Sequence, residues 1–126
     1  MAGKLSPTAQ TRLALLEGFF PLTSRLHTLI EQWAVARAGQ ETLNGSIKRA
    51  ADQLKLKLMG VGLDSLSQQA GAIAMAAARG GNPAQKARIL RENMASLKFQ
   101  LDLAMRTVVR EDLDAQAKVR SKEPQS

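Results

Sequence analysis

Few side chains in this 126-residue chain could do chemistry, and their spacing narrows the choice. There is no cysteine and a single histidine, His27. A zinc site needs three or four ligands, so His27 alone cannot build one, and no disulfide frame can form. No metal site and no cofactor are expected. His27 lies beside Leu26 at the border of an apolar stripe, and Leu26, Thr28 and Leu29 supply no cation at the following turn. It reads as a packed or solvated side chain rather than a phosphoacceptor. The more informative stretch is Ile47 to Gly62, IKRAADQLKLKLMGVG. Offsets of three and four turn Ala51, Leu54, Leu58 and Val61 to one side of a helix, and Asp52, Lys55, Leu56 and Met59 to another. One face can bury while the other meets a partner. Leu56 and Met59, set among Lys48, Lys55 and Lys57, form an apolar centre rimmed by positive charge, which suits an acidic protein surface. The alternative is that both pack beneath the first helix or a loop and the lysines are a solvated rim.

The elements that must position these residues follow from composition and pattern. Hydrophobic residues make up 44% of the chain but aromatics only 3%. A set dominated by Leu and Ala favours helices over sheets, so an all-α fold is expected. The length suits one domain with one core. Ser6-Pro7 reads as a cap followed by proline at the first helical position, opening a short helix to about Leu16. Gly18 and Pro21 then bend the chain, with Phe19 and Phe20 as core plugs at the bend.

From Leu22, the positions Leu26, Leu29, Ile30 and Trp33 recur at helical spacing, and Ala38-Gly39 closes that second helix. The third begins between Gln40 and Ser46 and stops at Gly60 and Gly62. The fourth, Asp64 to Arg79, is lined with small residues that let a neighbour approach closely. Gly80-Gly81-Asn82-Pro83 combines a stop, a cap and a helix-opening proline, so the fifth helix should return antiparallel to the fourth. Its seam of Leu90, Met94, Leu97, Leu101, Ala104 and Val108 alternates offsets of four and three, as in bundles. Residues 1–5 should be flexible, residues 6–117 should form the domain, and residues 118–126, charged and ending near Pro124, should be disordered.

At its centre the third helix resembles the A-H-x-L-K-G signature of histidine phosphotransfer (HPt) domains, written here Ala51-Asp52-Gln53-Leu54-Lys55-Leu56. Gly62-Leu63 resembles the glycine that often comes after that signature, and the run from Leu66 through Ala78-Arg79-Gly80 resembles the family's next helix and turn. The likeness reaches from about Leu13 to Arg110. It implies an antiparallel up-down-up-down four-helix bundle with a short N-terminal lid helix. In that family an exposed imidazole takes a phosphoryl group, a cation one turn on balances its charge, and a glycine clears the approach. Here Lys55 matches the cation, but Asp52 stands in place of the histidine and Leu56 in place of the glycine. A carboxylate repels a phosphoryl group and a leucine obstructs the approach, so phosphotransfer at this position should be absent.

The resemblance therefore implies a non-catalytic signalling protein. It would bind a response-regulator receiver domain or a histidine kinase through Lys48, Asp52, Lys55, Leu56, Lys57 and Met59, and so modulate a two-component phosphorelay. Two alternatives remain: a phosphocarrier using His27, and a basic helical protein binding nucleic acid or a scaffold. The second rests on a net charge of +7 from 18 basic and 11 acidic residues. These cations are scattered, with no basic strand bearing aromatics and no glycine-clamped loop, which disfavours nucleic acid. Apolar runs are shorter than a membrane span, and Arg12 and Glu17 interrupt any leader-like block, so a cytoplasmic, membrane-free protein is expected.

Overall fold

The computed structural model describes residues 4–122, and these are all-helical, with no strand among them. The five helices are α1 (Pro7–Glu17), α2 (Phe20–Val35), α3 (Gln40–Gly60), α4 (Asp64–Ala78) and α5 (Pro83–Lys122). Helix α3 packs against α2 and α4, α4 against α5, and α5 back against α2, while α1 lies along α5. The core between them is largely the set the periodicity marks, except that Val61, expected on the buried side of the third helix, lies just past its end and is 40% exposed. Leu26 and Ile30 come from α2, Ile47, Ala51, Leu54 and Leu58 from α3, Ala70 and Ile73 from α4, and Leu90 and Leu97 from α5. Removing this apolar surface from water is what holds four otherwise marginal helices together.

Local chemistry sets the boundaries. The Ser6 hydroxyl accepts from the Ala9 N–H at 3.2 Å, as a helix cap should. At the other hairpin, Asn82 Oδ1 accepts from the Ala84 N–H at 2.9 Å, just ahead of Pro83 in the chain's last helix. Helix α3 ends in a two-bond stop: Gly62, at φ +77°, donates its N–H to Met59 O, and Leu63 donates to Leu58 O. Only glycine adopts that φ without strain, so Gly62 turns the chain toward α4 and brings its own N–H and that of Leu63 onto the end carbonyls.

Several expectations need correction. Phe19 is buried at 6% exposure, but Phe20 stands 45% exposed and plugs nothing. Gly18 and Phe19 both keep right-handed helical backbone angles through the bend, so successive residues still rotate by about 100°, and only one of two adjacent rings can face inward. Helix α2 stops at Val35, earlier than Ala38-Gly39, and Gly39 (φ +76°) instead precedes the first turn of α3. The Gln40 side chain donates to Trp33 O and Ala36 O, which supplies partners for the carbonyls at the end of α2. Helix α3 then runs straight through Asn44-Gly45.

At the chain ends, Lys4 and Leu5 are tied rather than loose: Lys4 O accepts from Gln116 Nε2 at 3.0 Å and Leu5 O from Gln10 Nε2 at 2.8 Å. Helix α5 continues through Lys122, past the Ala117 boundary read from composition. Residues 1–3 and 123–126, which complete the expected flexible ends, lie outside the described residues.

Candidate functional site

Helix α3 is two-sided. Ile47, Ala51, Leu54 and Leu58 are at most 1% exposed, whereas Leu56 is 66% and Met59 52% exposed on the other side. Neither apolar side chain is tucked beneath α1 or a loop, so the packed alternative does not hold for them. The adjoining α4 contributes a further exposed apolar group, Met75. Lys48 and Lys57 are exposed, while Asp52 and Lys55 are half-buried.

Asp52 does not stand alone. Its carboxylate accepts from Lys48 Nζ at 3.3 Å, one turn back along the same helix. The Lys55 stem instead crosses onto α4, where it lies over Gly71: a Cβ at that glycine would sit 3.4 Å from Lys55 Cδ. The missing side chain at Gly71 makes the bed on which Lys55 rests, and the ammonium is carried to the seam between the two helices. Thus the six residues singled out in the sequence share one helix, with Lys48 engaged by Asp52, Lys55 laid across the seam and Lys57 exposed. The arrangement offers apolar contact and positive charge.

A second polar cluster was not visible in the sequence. His27 Nδ1 is in hydrogen-bond contact with Lys98 Nζ, and its Nε2 lies 3.9 Å from Glu31 Oε1. Arg91 grips the same Glu31 with two bonds, of 3.1 and 2.7 Å. Hydrogen bonding from Arg91 holds the Glu31 carboxyl below its usual range and raises the guanidinium in turn. The four side chains border a small cleft of about 120 Å³ floored by Ile30 and Met94. Lys98 and Arg91 come from α5, far along the chain, so only the packing of α2 on α5 brings them to His27.

Lys86 was also missed. Its ammonium is buried, donates to Ala77 O and Arg79 O at 2.8 Å each, and lies 5.2 Å from the centre of the Trp33 ring. It closes the C-terminal end of α4, and burial lowers its pKa. The signal was its place three residues after Pro83, where a long cation can reach back to the preceding helix end. Beside it a cleft of about 410 Å³ opens between Trp33, Asn44 and Gly80. Trp33 Nε1 and Asn44 Oδ1 have no hydrogen-bond partner there, but both atoms are sealed from solvent and so present nothing to the cleft.

No helix among the described residues is long and apolar enough to cross a membrane. No family model, no curated protein and no solved structure matches the chain.

Proposed function

We propose that the chain is a non-catalytic, HPt-like signalling protein that binds a receiver domain or a histidine kinase through the outer face of α3. The observation that carries this reading is the exposed pair Leu56 and Met59 on a helix whose opposite side is sealed, with Lys55 and Lys57 beside them. Apolar groups that remain in water on an otherwise well-buried helix, edged with cations, fit a partner whose own surface is acidic and partly apolar. The up-down-up-down arrangement that the resemblance implies is supported by contacts whose order runs oppositely on the paired helices: His27 with Lys98 and Glu31 with Arg91 between α2 and α5, and Gln69 with Ser96 and Ala77 O with Lys86 between α4 and α5.

The test is a binding and phosphoryl-flux assay of the purified chain against the receivers and kinases of its own cell. Binding that is lost in Leu56→Asp, without any phosphate on Asp52, is the expected result. Absence of both binding and any change in flux across that set sinks the proposal. Asp52→His combined with Leu56→Gly should create detectable transfer, which tests the kinship separately from the binding.

A second reading, a phosphocarrier using His27, is favoured by one contact. Lys98 provides across the α2–α5 seam the cation that the residues next to His27 in sequence do not. Acid-labile phosphate on the wild type that disappears in His27→Ala and falls in Lys98→Met would establish it; an unlabelled wild type would end it.

A further inference from the structure

We propose that two copies of this chain pair through the outer half of α5, in a contact independent of the α3 face. At 40 residues α5 is about 60 Å long, against 16, 21 and 15 residues for α2, α3 and α4. It therefore outruns its neighbours, and its outer half is accompanied by the short α1. Two helices cannot enclose a core, and the seam between them is open. Leu13 of α1 with Met105, Val109 and Leu113 of α5 lines an apolar cleft of about 480 Å³, and Leu113 remains 41% exposed.

The charge beside the cleft identifies the occupant. Arg110 and Asp114 line it too, one helical turn apart and both exposed. Neither makes an ion pair among the described residues, whereas Arg106 on the same stripe is held by Asp102 at 2.9 Å. A plus-then-minus sequence along a helix is self-complementary under a two-fold axis. If a second α5 lies antiparallel with the axis near Asp112, Arg110 of each copy faces Asp114 of the other. Val109 and Leu113 then meet in the middle, and the two arms together make a four-helix arrangement that closes the cleft. A uniformly acidic partner or an anionic surface would instead press against Asp114.

Sedimentation or light scattering on the full chain tests this. At about 0.1 mM a dimer should dominate, with twice the 13.6 kDa chain mass. Leu113→Asp should be monomeric. Arg110→Asp and Asp114→Arg should each weaken pairing by about tenfold through like-charge contact, and an equimolar mixture of those two variants should restore it as a heterodimer. The charge variants sit on the surface, so unchanged helical circular dichroism separates lost pairing from lost folding. A monomeric wild type, a dimer indifferent to Leu113→Asp, or a mixture that fails to rescue overturns the proposal.

Discussion

The ring of α2, α3, α4 and the inner half of α5 differs sharply from the arm that α1 makes with the outer half of α5. In the ring, Leu26, Ile47, Leu54, Ile73 and Leu90 are all but sealed from solvent. In the arm, α1 buries only Ala9 and Leu16 along its length. What pins α1 is polar: the Ser6 hydroxyl and N–H both donate to Asp112, at 2.5 and 2.9 Å, and Gln116 reaches Lys4 O. Hydrophobic burial is non-directional and indifferent to pH, whereas a carboxylate clamp is directional and titrates. The ring should therefore fail all at once, and the arm should be able to loosen by itself.

The largest effect that would test this contrast is in the ring. Leu54→Ala removes a fully buried side chain at the α3 core and should cost about 3–4 kcal/mol, read as a lower denaturant midpoint with unchanged slope. A loss under about 1 kcal/mol would mean that α3 is not the centre of the core. Next is Lys86→Met, which keeps the stem against Trp33 but strips the donors from Ala77 O and Arg79 O. We expect a loss of about 2 kcal/mol in the same measurement, because the end of α4 is left with unpaired carbonyls.

The arm should respond more weakly and locally. Ser6→Ala removes both the cap and one Asp112 bond and should cost about 1 kcal/mol, with faster hydrogen exchange confined to α1. Hydrogen bonds from Ser6 hold the Asp112 carboxyl below its ordinary value. A depressed folded-state pKa means stability that is complete above the usual aspartate range and is lost as pH falls through the lower, folded value. Exchange of α1 amides should therefore accelerate on acidification into that range before the ring amides respond, and Asp112→Asn should flatten that dependence. Simultaneous acceleration in both regions would erase the distinction between ring and arm.

The same contrast explains what could be read from the sequence. The ring was legible because its apolar residues repeat at three and four, and because Asn82-Pro83 and Gly62 act through neighbours only a few residues away. The same register turned Leu56 and Met59 away from the core, but it could not say whether α1 or a loop would cover them. The arm was not legible, since Ser6 with Asp112 and Lys4 with Gln116 are side-chain contacts across almost the whole chain, and no local pattern encodes them. His27 shows the same limit: its cation, Lys98, belongs to another helix. Phe20 failed for a different reason, because hydrophobicity alone does not say which of two adjacent rings a slight bend turns inward.

The smallest expected effect probes the surface that joins ring to candidate docking face. Gly71 is helical and half-buried, and the nearest atoms a Cβ there would meet are those of the flexible Lys55 stem, at ordinary contact distance. Gly71→Ala should therefore stabilise the chain by about 0.5–1 kcal/mol, since alanine loses less backbone freedom in a helix. If the stem simply lifts, partner binding through Leu56 and Met59 is unchanged. If binding falls while stability rises, the position of the Lys55 ammonium over α4 matters to recognition, and the glycine serves the face rather than the packing beneath it. A loss of stability would instead show that α3 and α4 approach too closely at Gly71 to admit a methyl group, and that Lys55 is packed there rather than laid across an open seam.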